Sequence, residues 1–255
     1  MSDLRPVVAP LVVGLVIVGG WELAIIAFDV SEFLLPRPSS IVAALVDEWP
    51  VMWRAGRETG QIAVSGLVVG VLLGACLALV TTRSRRLRGS LTPLAVALNA
   101  TPIIALAPIF NAWFGLTDPR SNQAVVIVVV FFPVFINTAR GLVEVHADQL
   151  ELMRSYAASE WTTLRRVRLP NAAPFFLTSL RVAAPLSVIA AVVAEYFGGP
   201  QDRLGPVITQ NASFARYDVA WAAIVVASAI GLVLFATAAV AERLAMPWRR
   251  PATRT

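Results

Sequence analysis

The chain has 255 residues, 57% hydrophobic and 15% charged, well short of the ~25% charge usual in soluble domains. Its net charge of +5 is carried by arginine, since lysine is absent, and the arginines flank apolar runs without forming a basic domain, which argues against a nucleic-acid partner. Single cysteine and histidine residues, Cys76 and His146, exclude a disulfide framework, a thiolate cluster and a multi-histidine metal site.

Charges come in clusters separated by long neutral stretches, the pattern of a polytopic membrane protein. The first apolar run, 7–28, is interrupted by Glu22. It makes a poor signal peptide, because Arg5 is the one basic residue ahead of it and no small-residue cleavage site follows. LLPRPSSIVAAL, residues 34–45, reads as an extended approach ended by prolines, a cap at Ser39 or Ser40, and an amphipathic helix near the outer surface. Trp49 and Trp53 suit a membrane interface. The second run, 59–82, places Gly66, Gly70 and Gly74 on one face. That face permits close helix packing, either within the subunit or at a dimer seam.

Four arginines in 83–88 stay with anionic headgroups and hold topology. The third span, 89–113, lies within the uncharged run Gly89–Thr117, where Pro93, Pro102 and Pro108 predict bends. The fourth, 121–139, is strongly β-branched, but its length and neighbours favour a membrane helix over a strand. A charged segment, 140–170, separates it from the fifth, 171–197, which carries Arg181 and Glu195; the sixth, 219–241, is uncharged. Arg181 either snorkels to headgroups or serves a salt bridge or the pathway.

Arginines are concentrated in 83–88, in 140–170 and after the sixth span, whereas residues 29–58 hold five acids against three arginines. The positive-inside rule then gives an all-α polytopic membrane protein with six transmembrane helices in a single domain, 1–255, and both termini in the cytoplasm.

Within 140–170, residues 144–158 contain strong helix formers and no proline or glycine. Glu151 and Arg154 can pair on one face. Ser159 can cap a second short helix, 160–167, and Leu169-Pro170 closes a compact cytoplasmic hairpin. An ordinary cytoplasmic loop is the other reading of the same residues.

ELMRSYAASEWTTLRRVRLP, residues 151–170, resembles the EAA loop of binding-protein-dependent ABC importer permeases. Glu151, Leu152 and Met153 stand at the Glu-Ala-Ala positions, Ala157 replaces the usual glycine, and Val167, Leu169 and Pro170 match the ending. LLPRPSSI, TPIIALAPIFNAWFGL (101–116), FFPVFINTARGL (131–142), EYFGG (195–199) and AERLAMPW (241–248) are similar to stretches of the nitrate, sulfonate, taurine and thiamine-pyrimidine-precursor group. Together these matches cover nearly the whole chain.

The resemblance implies a type I ABC importer permease (MetI-like) core in a bacterial inner membrane. It implies two permease subunits, usually identical, an ABC ATPase dimer on the cytoplasmic side, and an extracytoplasmic substrate-binding protein. It assigns ATPase coupling to Glu151, Arg154, Tyr156, Ala157, Ala158, Ser159, Leu169 and Pro170. The phosphate-binding loop of an ATPase needs a lysine, so ATP-Mg belongs to the partner, and this chain is expected to bind no cofactor and to be no enzyme.

A translocation pathway needs polar or bulky groups at its lumen and often broken helices. Asn99, Thr101, Pro102, Asn111, Trp113, Asn137 and Glu195 are the candidates. For the asparagines the alternative is interhelical bonding; for Glu195 it is an outer helix end. The expected cargo is a small organic solute. FNAWFGLTDP and EYFGGPQ look slightly more like the pyrimidine, thiamine-precursor or riboflavin-like members than the nitrate, taurine or alkyl-sulfonate members. A secondary carrier independent of an ATPase is the rival class; it would need a mid-span proton-relay carboxylate, for which Glu195 is the candidate.

Overall fold

A computed structural model of the chain describes residues 5–82, 84–99 and 103–246. The structure is helical: α1 (Arg5–Ala27), α2 (Pro38–Asp47), α3 (Trp49–Thr81), α4 (Arg85–Asn99), a 3-10 turn (Ile103–Leu106), α5 (Ala107–Phe114), α6 (Pro119–Gly141), α7 (Ala147–Ser155), α8 (Glu160–Thr163), a π-helical turn (Leu164–Arg168), α9 (Leu169–Glu195), α10 (Leu204–Ser213) and α11 (Tyr217–Ala245).

Among the described residues, four helical stretches are long and apolar enough to cross a membrane: Trp49–Thr81, Pro119–Gly141, Glu160–Glu195 and Tyr217–Ala245. This corrects the expectation of six spans and the topology counted from it. The run at 7–28 forms α1, whose stretch Val12–Ala27 stands among the shorter apolar helices of the described residues. The run at 89–113 is divided among α4, the 3-10 turn and the eight-residue α5. Pro93 is kept inside α4, whereas Pro108 stands in the first turn of α5, where its missing backbone donor is tolerated. α4 also begins among the arginines, which lowers its apolar character.

The four long helices pack closely. α3 and α6 run parallel, with Gly66, Gly70 and Gly74 facing Val126, Val130 and Val134 in register. A Cβ at Gly70 would stand 2.9 Å from the Ile127 carbonyl oxygen, and one at Gly74 2.9 Å from that of Phe131. The glycine stripe therefore seats one backbone on another inside the subunit. α9 runs the opposite way: Asn171 meets Gly141 at one end, and Glu195 meets Thr59 at the other. α11 runs parallel to α3, bound near its ends by Arg216–Glu48 at 2.8 Å and Arg181–Glu242 at 3.0 Å. Arg181 thus takes the salt-bridge alternative, with its guanidinium 5.2 Å from the Phe235 ring centre.

The bundle has a Trp49 end and a Thr81 end. α3 finishes at the Thr81 end and α6 starts at the Trp49 end, so the α4–α5 segment returns the chain between them. The core is built from alanine and valine, including Ala63, Val126, Val130, Ala183, Val188 and Ala191. Small side chains allow the close approach that drives helix association in lipid, where no hydrophobic gain separates helix from solvent. The β-branched run is helical, and Asp118 caps it by accepting from the Arg120 amide at 2.8 Å.

Two smaller expectations also change. Neither Ser39 nor Ser40 caps α2; Arg37 occupies that position. Ser39 donates instead to the Glu22 carboxylate, from its amide at 3.0 Å and its hydroxyl at 2.7 Å, joining α1 to α2. Leu169-Pro170 does not close the 140–170 hairpin. Proline is tolerated in a first helical turn, and the π-helical turn runs directly into α9.

Candidate functional site

Each end of the bundle carries a distinct polar construction. At the Thr81 end a helical hairpin projects from the bundle. Its base is fastened by Asn171, whose amide donates to the Gly141 carbonyl at 2.7 Å and the Glu144 carbonyl at 2.9 Å. Arg140 and Glu144 pair one turn apart at 2.6 Å. Beyond this base α7 buries no residue.

The turn between α7 and α8 is fully specified by backbone bonds. The Ala157 amide donates to Arg154 at 2.9 Å and the Ala158 amide to Met153 at 3.0 Å, the paired bonds of a Schellman motif. That motif places a residue in the left-handed region, and Ala157 takes it with φ +48°. Ser159 then caps α8, its hydroxyl accepting from the Thr162 amide at 3.2 Å. The hairpin presents Leu152, Tyr156 and Trp161 at 55%, 75% and 66% exposure. Large apolar side chains grouped on a projecting element mark a contact surface.

At the Trp49 end the polar groups turn inward. Glu195, at 2% exposure, accepts from the Thr59 hydroxyl at 3.0 Å and the Gly205 amide at 3.0 Å. The Thr59 oxygen in turn accepts from the Leu204 amide at 3.1 Å. Asn111 donates to the Phe197 carbonyl at 3.0 Å and Asn122 to that of Gly198 at 3.1 Å, while Ser121 bonds Asn111. These bonds bracket the turn after α9 to α3, α5, α6 and α10. A Cβ at Gly205 would lie 2.5 Å from that of Glu195, so glycine admits the carboxylate to the start of α10. Buried Arg203 lies behind Gly199 in the same bracket.

The sequence pattern described as "Binding-protein-dependent transport system inner membrane component" matches residues 66–245. The chain belongs to this family. Among its relatives, the formylaminopyrimidine transport permease protein ThiX of Halalkalibacterium halodurans is 33% identical over 221 residues, covering 86% of this chain and 88% of the relative. The putative aliphatic sulfonates transport permease protein SsuC of Escherichia coli is 28% identical over 246 residues, 94% of this chain and 92% of the relative. The riboflavin transport system permease protein RibX of Chloroflexus aurantiacus is 25% identical over 230 residues, 89% and 85% of the two chains.

The permease is thus a non-catalytic, multi-pass inner-membrane subunit of an ABC importer for a small polar solute. In this family it works with an ATPase that uses ATP-Mg and with a substrate-binding protein.

The structure brings together all the permease's expected coupling residues on or beside the hairpin. Glu151, Arg154, Tyr156, Ala157 and Ser159 are exposed, Ala158 is half-buried, and Leu169 and Pro170 lie where it joins α9. Glu151 and Arg154, expected to pair, form no ion pair among the described residues.

The expected pathway residues are scattered. Asn99 and Trp113 are exposed. Asn111 and Glu195 are buried in the bracket. Asn137 is half-buried and donates to the Pro133 carbonyl of its own helix at 2.8 Å. Thr101 and Pro102 lie outside the described residues. Sequence reasoning missed Thr59, Asn122, Arg203 and Gly205 as bracket partners. The Gly-Pro pair at 205–206 in the first turn of α10 was the available signal.

Proposed function

We propose that the α7–α8 hairpin is the cytoplasmic element that receives the motion of the ATPase. The observation that carries this reading is its combination of a pinned base and an unburied tip. Asn171 ties the base to α6 and α9, while Leu152, Tyr156 and Trp161 stand exposed beyond it. A push on the tip is delivered to two long helices at once. The arginines of 140–170 support placing this end in the cytoplasm.

Two copies of the permease then enclose the pathway, with Asn99 and Trp113 toward it. The exposure of these two side chains supports that role. Asn111 and Glu195 act as wall supports: their bonds hold the turn at 196–199 in place. Asn137, on α6, and Thr101 and Pro102, by their place in the sequence close to Asn99, complete the proposed set. The cargo in this reading is a heterocycle of the pyrimidine, thiamine-precursor or riboflavin type. Similarity to the formylaminopyrimidine permease over most of both chains supports it. Similarity to the E. coli sulfonate permease supports the second reading, an alkyl sulfonate, taurine or nitrate.

Gentle purification from native membranes, with mass spectrometry of retained proteins and ligand, tests this function. An ATPase and a binding protein carrying a heterocycle are expected. A retained sulfonate would transfer the assignment to the second reading. A clean oligomer of this chain that neither retains nor rebinds an ATPase would favour the carrier class.

A further inference from the structure

At the Thr81 end a groove of about 1130 Å³ separates the last turn of α3 and the start of α4 from the hairpin. One wall is apolar, with Leu79 and Val80 at 38% and 47% exposure. Arg88, Arg154 and Arg168 line the same space, with Glu160 as the one acid. None of the three arginines belongs to an ion pair among the described residues.

We propose that this groove binds one anionic phospholipid, its phosphate held by Arg88 and Arg168 and its acyl chains lying along Leu79 and Val80. The wall comes from the last turn of a helix long and apolar enough to cross the membrane, which sets the groove at the membrane boundary. Arg88 and Arg168 are half-buried. Their stems can follow the apolar walls while the guanidiniums reach headgroup depth. Guanidinium donors match phosphate oxygens as parallel pairs, and a half-buried cation without a carboxylate gains most from such an anion. A free phosphate would satisfy the arginines and leave the apolar wall uncovered; a lipid covers both. The space also exceeds the ~300–1,000 Å³ usual for small-molecule pockets. The inference rests on membrane placement; because Arg154 and Trp161 line the groove as well as the proposed coupling surface, the groove variants are confined to Arg88 and Arg168.

The test uses the full chain in mild detergent, with native mass spectrometry and thermal melts. Phosphatidylglycerol, phosphatidylcholine or inorganic phosphate is added at equal concentration. One retained phosphatidylglycerol per chain and a raised melting temperature are expected, with no such response to phosphatidylcholine or phosphate. Each arginine near an anionic headgroup strengthens attachment about fivefold, so Arg88→Gln with Arg168→Gln should weaken retention about 25-fold. Arg86→Gln with Arg165→Gln removes the same charge from exposed positions outside the groove and should preserve it. Equal retention of the two lipids, a full response to phosphate alone, or equal loss in both double variants would overturn the proposal. So would a groove variant that keeps phosphatidylglycerol while losing a bound ATPase, which would make the groove a protein dock. Should the groove variant be recovered unfolded, the lipid and phosphate comparison on the unaltered chain decides the question.

Discussion

Ala157 joins backbone geometry to the proposed coupling. An L-residue in the left-handed region carries a cost of about 1–2 kcal/mol, and Ala157 sits there at φ +48°. Glycine lacks the Cβ that causes the crowding. Ala157→Gly should therefore stabilise the hairpin by about 1 kcal/mol and preserve uptake, with hydrogen-exchange protection rising over 147–168. Ala157→Asp separates folding from contact. Aspartate visits the left-handed region more readily than most residues, yet its charge would be desolvated against an ATPase surface. The expected result is a chain that still reaches the membrane, with uptake lost; normal uptake would remove Ala157 from the coupling surface. A small residue at a bend was legible in the sequence. Its positive φ was not, because that follows from two bonds reaching back to Met153 and Arg154. The bracket was also illegible: nothing local to Thr59 signals a carboxylate 136 residues away.

The glycines of α3 make the same helix respond in opposite ways at different heights. Beside Gly60, an added Cβ would make ordinary contact with Ile230 at 3.9 Å; at Gly70 it would press on a carbonyl oxygen at 2.9 Å. Gly60→Ala should raise stability by up to ~1 kcal/mol through helix propensity. Gly70→Ala should lower it by ~1–3 kcal/mol through overpacking. Thermal melts in one detergent would check the pair, and equal signs would contradict the parallel α3–α6 seam. The glycine spacing displayed this seam in the sequence, although it did not name α6 as the partner. α10 was hidden for a different reason. Its ten residues include Pro206, Thr209, Gln210 and Asn211, a composition that reads as loop until burial of Leu204, Val207 and Ile208 is visible. At 89–113 the span count failed because it equated an uncharged run with one continuous helix.

For the whole molecule, the arginine distribution and the two polar ends yield a sidedness that labelling can check. With Cys76→Ala as background, Asp148→Cys lies on α7 and Gln201→Cys lies beside the bracket, both at exposed positions. A membrane-impermeant maleimide applied to intact cells should label the second and not the first; inverted vesicles should reverse the result. Labelling of both from one side would overturn the placement of the hairpin in the cytoplasm. Family membership and the membrane class were legible across nearly the full length, because composition and motif spacing are distributed properties. Substrate choice was not, since no cluster of charged groups in the spans selects one.

The bracket at the Trp49 end also has a history in time. Thr59 is synthesised 136 residues before Glu195, and ribosomes add about 5–20 residues per second. For about 7–27 seconds at those rates, the growing chain therefore holds a hydroxyl whose acceptor does not yet exist. Asn111 and Asn122 also wait, for the carbonyls of Phe197 and Gly198. A product stalled or clipped before residue 195 never gains these partners, and the turn they hold is missing with them. The bracket can therefore close only once the turn after α9 has been made, and no shorter product can contain it.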